Sequence, residues 1–370
     1  MKTYGYGKQS ITEDDINAVV EVLKSPYLTC GPNVKAFEDA ICAYTGAKYA
    51  VAVNSATSGL HIAMMAAGVQ SGDEIITSPM TFLASANCAR FCGADVKFAD
   101  IEKETACIDP NEIKKHLSLK TKAVVPVHFA GQSCDMEKIS EIVRQAEGDK
   151  KIYIIEDAAH AIGSDYKDTK VGCCKYSDMA VFSFHPVKTI TTCEGGAVVT
   201  NSEELYNKLC AFRAHGMHKD GEMAHDWRYE MRELGYNYRM TDVQAALGIS
   251  QLKRLAAFKK RRREIVDFYN KNLGLPHLIE RDFSNACFHL YPILVENRRD
   301  FYFKAREKGL YLQVHYIPVH TQPYYQEQGY KWGDYPNAEA FYEHCISLPL
   351  YPDLTDEDLI EIVQRIKEIG

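Results

Sequence analysis

The sequence of 370 residues has no GxGxxG turn and no GxxxxGK loop, so neither a dinucleotide fold nor a P-loop has an anchor in it. Its 12 cysteines include no CxxC pair and no Cys/His spacing of the zinc type. Cys88 and Cys92 are placed to share a helix face, and the adjacent Cys173 and Cys174 suit neither a bridge nor a ligand set, so no metal is expected. Long apolar runs are missing as well. The opening stretch MKTYGYGKQS lacks a signal-like core, and nothing approaches the length of a membrane span. The expectation is a cytoplasmic protein with reduced thiols and no membrane partner. Positive charge is in deficit, 43 Lys and Arg against 50 Asp and Glu, which leaves a net charge of −7. Nucleic acid needs a basic face and is not expected as a partner. The one basic run, KKRRRE at 259–264, reads as a solvated helix face.

What is present is ordinary globular material, 46% hydrophobic and 25% charged, in a chain long enough for two parts. Thr12 with Asp15 opens a first helix, whose stripe is Ile16, Val19, Val20 and Leu23. From residue 49 short apolar runs follow one another: YAVAV, EIIT, VKFADI, AVVPVHF, KIYIIED, DMAVFSF and GAVVTN. Helical patterns at 58–67, 83–92, 110–117 and 135–147 separate several of them. Near-continuous apolar strands interleaved with helices predict an α/β fold with a mostly parallel sheet covered on both faces. After 241 one long helical stretch runs to 273, followed by two expected strands, HLYPILV and YLQVHYIPV. Thr355 and Asp358 cap a last helix. The expected division is a larger part over 1–254 and a smaller α+β part over 255–370.

Three stretches fall just beyond strand ends, where an open α/β sheet binds its ligands. In FSFHPVKTITTCEGGA, Lys188 follows an apolar strand. A buried ammonium loses its proton more readily and becomes a nucleophile; the alternative is a side chain that snorkels to solvent. In IYIIEDAAHAIG, Asp157 ends another apolar strand, where a free carboxylate is costly without a positive partner. It either faces a protonated pyridine nitrogen or caps a helix, and His160 either bonds a ring hydroxyl or packs. In VAVNSATSGLHIAMMAAG, the Thr57 and Ser58 hydroxyls beside a helix start make a phosphate site or an ordinary N-cap. Phe82 covers a ring or belongs to the core. A phosphate cradle, a carboxylate and an amine in this order along the chain fit pyridoxal phosphate.

These motifs give the sequence a family likeness. Along nearly its whole length it resembles the sugar aminotransferases of the DegT/DnrJ/EryC1/StrS type, which are fold type I pyridoxal-phosphate enzymes. The likeness rests on YGKQSI, VLKSPYLTCGP, NSATSGLHIA, PMTFLASANCA, EDAAHAIGSDY, FSFHPVKTITTCEGGAVVTN, ELGYNYRMTDVQAALG and VHYIPVHTQPYY. It looks closest to the branch that aminates UDP-2-acetamido-2,6-dideoxy-β-L-arabino-hexos-4-ulose, with L-glutamate as donor, in pseudaminic acid biosynthesis.

The resemblance implies that Lys188 is the cofactor-linking lysine and general acid/base. It makes Asp157 the pyridine partner, Ala56, Thr57 and Ser183 phosphate-side contacts, Phe82 the stacking ring, and His160 a neighbour of the ring oxygen. Asn237 would reach the phosphate of a neighbouring subunit, which implies a homodimer with a shared site. Tyr6, Pro26, Tyr27, Leu28, Thr29, Ala56, His185, Gln313, Val314, His315 and Tyr316 would line the nucleotide-sugar pocket. Cys30 stands where a polar residue is expected. Relatives with histidine in place of the lysine are dehydratases, and Lys188 argues for transamination instead. The competing readings are amination of another UDP-, dTDP- or GDP-keto sugar and a non-catalytic regulator, which would be expected to lack Lys188 or Asp157.

Overall fold

Apolar runs of four or five residues, each too short to be a helix and rich in β-branched residues, gather into one seven-stranded sheet. The computed structural model describes residues 2–219 and 221–369; the outer ends of the two expected parts, Met1 and Gly370, lie outside them. The elements that build the sheet and its cover are α1 (Glu13–Lys24), α2 (Pro32–Thr45), β1 (Tyr49–Val53), α3 (Ala56–Ala66), β2 (Glu74–Thr77), α4 (Ala84–Phe91) and β3 (Asp95–Phe98). They continue with α5 (Pro110–His116), β4 (Thr121–Val125), α6 (Met136–Ala146), β5 (Tyr153–Asp157), β6 (Met179–Ser183), β7 (Gly196–Thr200) and α7 (Glu203–Arg213). The order across the sheet is β1-β7-β6-β5-β4-β2-β3. β7 is antiparallel to both its neighbours, and the other pairs are parallel.

Side chains alternate across the strands, so the sheet has two dry faces. Val51, Val53, Met179, Val181 and Val198 join one buried cluster, while Ala50, Ala52, Ala180, Phe182, Ala197 and Val199 join another. Because both faces are covered, the strands read as continuous apolar runs. Among the described residues no helix is long and apolar enough to cross a membrane.

The expected single helix over 241–273 is two helices, α8 (Asp242–Lys253) and α9 (Leu255–Leu273), meeting at Arg254. Arg254 Nη2 binds Asp15 and donates to the Ser10 carbonyl at 2.9 Å, while Gln251 donates to Asp15 at 2.8 Å, so α1 is docked at the break. A third core forms between α9 and the C-terminal elements β8 (Tyr291–Leu294), α10 (Arg298–Glu307), β9 (Cys345–Leu348) and α11 (Asp356–Lys367). Tyr4 belongs to this core, and Tyr4–Gly5 pairs in parallel with Leu310–Tyr311.

Two readings of this region are corrected. Of YLQVHYIPV only Tyr311 is in a strand, as the last residue of the two-residue Leu310–Tyr311; the rest is irregular, with a bridge from Gln313 to Ser347, and the strand that pairs with β8 is β9, whose CISL is too short to stand out. The basic run at 259–264 is not a uniformly solvated face. Arg262 is 1% exposed and points inward on α9, because its neighbours in the helix turn, Phe258, Ile265 and Val266, belong to buried cores.

Candidate active site

Helix α3 starts immediately beyond β1. Ser55 is its N-cap, accepting from Ser58 N–H at 3.1 Å, and Ala56 and Thr57 follow as the first helical residues. Ser58 Oγ is already committed to Asn54 Oδ1 at 2.6 Å, whereas the Thr57 hydroxyl has no hydrogen bond among the described residues. Thr57 therefore keeps its donor for a ligand and Ser58 does not. β7 approaches this turn closely: a Cβ on Gly196 would lie 2.6 Å from Ala56 N and 2.8 Å from Phe182 O. Glycine is required there by space. The free N–H groups of α3 form an anion cradle next to Ser183, which is buried at the end of β6 with Oγ 3.5 Å from His185 N.

Asp157 is 5% exposed at the end of β5. Its Oδ2 accepts from Ser85 Oγ at 2.5 Å, and Oδ1 from Ala159 N–H at 3.1 Å. No helix follows, so the capping alternative reduces to a tight turn. Ser85, supplied by α4 and bonded to Thr81 Oγ at 2.7 Å, was not anticipated as a site residue. Nothing in sequence links a serine at 85 to an aspartate at 157.

Lys188 comes from the turn after β6 and is partly buried, with Nζ 3.5 Å from His289 Nε2. Burial brings its pKa down from 10.5 to about 8, while the charge of Asp157 pulls the other way. His160 Nε2 pairs with the Tyr316 hydroxyl at 3.0 Å, and its Nδ1 has no partner among the described residues. Burial, then the charge of Lys188 and the presence of His315, hold His160 well below the ordinary histidine range. Burial likewise takes His315 down to about 3, and its Nδ1 sits 2.9 Å from Ser347 Oγ. Tyr316 is pushed upward by burial, with Tyr6 and Asp157 adding to it.

The Tyr6 ring leans on His315 with centroids 4.9 Å apart, and Tyr316 lies 6.2 Å from Phe82. Phe82 is 58% exposed, so it is not core; its face is open to a ligand. His289, in the HLYPILV stretch, is the second residue not anticipated: the fold brings it to Lys188, and its sequence setting as the lead-in to a strand gives no sign of that.

Several expected residues do not join this group within the chain. Pro26, Tyr27, Leu28 and Thr29 are exposed and follow α8, with a Thr29–Thr241 bridge and Leu28 O accepting from Asp242 N–H at 3.0 Å. His185 is exposed, its Nε2 4.0 Å from Glu194. Gln313 is exposed and turned onto the Val314 N–H at 2.9 Å, while Val314 is half-buried. Asn237 is exposed too. It bridges Ala214 in extended geometry, and its carbonyl accepts from Asn54 Nδ2 at 3.4 Å.

The donor set fits a pyridoxal phosphate. There is an amine of lowered pKa, a buried carboxylate held only by neutral donors, an anion cradle closed by Gly196 with a free threonine hydroxyl, and a buried unpartnered nitrogen on His160.

Comparison with known proteins agrees. The sequence model of the DegT/DnrJ/EryC1/StrS aminotransferase family matches residues 9–367. The UDP-4-amino-4,6-dideoxy-N-acetyl-β-L-altrosamine transaminase of Campylobacter jejuni serotype O:23/36 is 39% identical, covering 98% of each chain. A protein of Streptococcus pneumoniae described as a sugar aminotransferase, Spr1654, superposes in its PMP form with a TM-score of 0.94 at 32% identity over 98% of each chain. Its PLP form superposes with a TM-score of 0.93. Helicobacter pylori PseC, an aminotransferase involved in pseudaminic acid biosynthesis, gives a TM-score of 0.92 at 33% identity, covering 100% of this chain and 99% of that one.

Proposed function

The chain belongs to the DegT/DnrJ/EryC1/StrS aminotransferase family, and on that premise we propose that it transfers an amino group from L-glutamate to C4 of UDP-2-acetamido-2,6-dideoxy-β-L-arabino-hexos-4-ulose. It is a pyridoxal-phosphate-dependent sugar aminotransferase of fold type I. The choice of sugar is supported by the C. jejuni and H. pylori relatives. The observation that carries the reading is the meeting of Lys188 and Asp157 beyond neighbouring strand ends, beside the cradle of α3.

Bound there, the cofactor supplies a carbonyl that takes up amino groups and a ring that eases proton removal at the adjoining carbon. The side chains do the rest. Asp157 stands opposite the ring nitrogen as a fixed negative charge, and Ser85 keeps it aimed. Ala56, Thr57 and Ser183 hold the phosphate, and Phe82 covers one ring face. His160 is the neighbour of the ring oxygen, with Tyr316 bonded behind it. Lys188, with a pKa of about 8, is present both as amine and as ammonium near neutral pH, so one group can remove a proton from one carbon and return it to another. Tyr6, His315 and Tyr316, which the fold brings to this group, face the sugar nucleotide.

The same reading takes 1–254 as the cofactor-binding part and 255–370 as a smaller part. It also makes the enzyme a homodimer in which the exposed Asn237 serves the partner's phosphate site and residues 26–29 line the nucleotide-sugar pocket.

The test is turnover with glutamate and a panel of UDP-, dTDP- and GDP-linked keto-6-deoxy sugars. The UDP-L-arabino ketosugar is expected to give the highest kcat/KM. A better substrate in the panel overturns the sugar assignment, and no turnover with any of them favours a regulatory relative.

A further inference from the structure

Once Lys188 has given up the cofactor its amine is free, and something must hold it. Its one hydrogen-bond neighbour among the described residues is His289, at 3.5 Å from Nε2. His289 is 3% exposed, its ring lies 4.5 Å from that of His160, and its own Nδ1 has no partner. Either neutral tautomer leaves Nδ1 unsatisfied, but the two are unequal. A buried N–H without an acceptor is costlier than a buried lone pair without a donor, so the proton belongs on Nε2 and faces the lysine.

Against the backbone of His289 lies Arg262, the inward residue of the basic run on α9. Its Nη1 donates to the carbonyls of Phe288 at 3.1 Å, His289 at 3.5 Å and Leu350 at 2.9 Å. No carboxylate pairs with it among the described residues, and its Nε is unpartnered. A buried cation kept without a counter-charge is expensive for the fold. Burial first, then Lys188, His160, Arg262 and His315 keep the His289 imidazole well below the ordinary histidine range.

We propose that His289 is a positioning residue for Lys188, donating its Nε2–H to the lone pair of the freed amine so that the neutral amine is favoured and held in place. The proposal rests on the reading of Lys188 as the cofactor lysine. The other groups facing the pair are Asp157, which favours the ammonium, and His160 and His315, which are neutral. Without the His289 donor, burial alone opposes Asp157, and the amine gains affinity for its proton.

The experiment uses holoenzyme treated with L-glutamate and labelled with 15N-histidine. The His289 signal, assigned by its loss in His289→Gln, is expected to show the Nε2–H tautomer and no titration across the neutral range. An Nδ1–H tautomer or an imidazolium overturns the proposal without recourse to any variant's folding. In parallel, the pH dependence of Lys188 labelling by an amine-selective reagent is followed by mass spectrometry. His289→Phe should raise the midpoint by about one pH unit, roughly what a neutral hydrogen bond is worth. His289→Gln, whose amide can donate, should restore the wild-type midpoint. A midpoint unchanged or lowered in His289→Phe overturns the proposal. Borohydride fixation of the cofactor onto Lys188 in untreated enzyme checks the underlying reading separately, and its failure would leave the tautomer result standing.

Discussion

Asp157 illustrates how far a single residue's chemistry can be separated from its structural role. Its two hydrogen bonds come from a hydroxyl and a backbone N–H, both of which an asparagine oxygen can still accept in part. Asp157→Asn should therefore melt close to wild type while losing the fixed charge opposite the ring nitrogen. The expected cost is about 3 kcal/mol of transition-state stabilisation, roughly a hundredfold in kcat. Parallel measurement of the melting temperature and kcat checks this, and a near-normal rate would assign the ring nitrogen to another group.

Lys188 gives the opposite case, a residue kept at the expense of stability. Unfolded, its amine keeps a proton up to about 10.5; folded without cofactor, it releases the proton near 8. Between those values the unfolded chain binds more protons, so stability rises with pH there, and below about 8 the fold bears the whole cost of the desolvated ammonium. Lys188→Met should stabilise the cofactor-free chain by about 1–3 kcal/mol at neutral pH, the lower end applying because the side chain is only partly buried. That gain should fade as pH rises from about 8 towards 10.5. Denaturant titrations of both proteins at several pH values decide it, and a gain independent of pH would refute the buried-ammonium account.

At the scale of elements, the cradle depends on how closely β7 passes the start of α3. A methyl group at 196 would meet backbone atoms of Ala56 and Phe182 inside 3 Å, and backbone cannot swing aside as a side-chain tip can. Gly196→Ala should cost about 1–3 kcal/mol and displace the first turn of α3. Because the displaced N–H groups are the proposed phosphate donors, cofactor affinity should fall by more than the loss of stability alone would produce. Equilibrium dialysis of the cofactor against wild type and variant measures it, and unchanged affinity would remove α3 from the phosphate site. Elsewhere, α8 and α9 show an element boundary that periodicity misses. The helical pattern continues through Arg254, and only the docking of that side chain on Asp15 and Ser10 of the first segment marks the break.

For the whole molecule the exposed segments decide the question. Asn237 and residues 26–29 are exposed, and Asn237 and Thr29 are held by bridges to Ala214 and Thr241. If the site is shared, mixing inactive Lys188→Ala subunits with inactive Asn237→Ala subunits should restore up to about half the activity per mixed dimer, because one site then carries both lesions and the other neither. No recovery after proven subunit exchange would place Asn237 in its own chain's site.

The strands of the sheet, the helices between them, and Lys188 and Asp157 at strand ends were legible in the sequence, because a strand buried on both faces needs an unbroken apolar run and a charge at its end is conspicuous against it. The family motifs carried the cofactor. What only the tertiary structure decided lies in long-range contact. Ser85 reaches Asp157, His289 reaches Lys188, Arg262 turns inward, and β9 pairs with β8. None of these has a local signature. Each depends on which surfaces the packed chain brings together, and a periodicity of two or of 3.6 residues says which face of an element is buried but not what it is buried against.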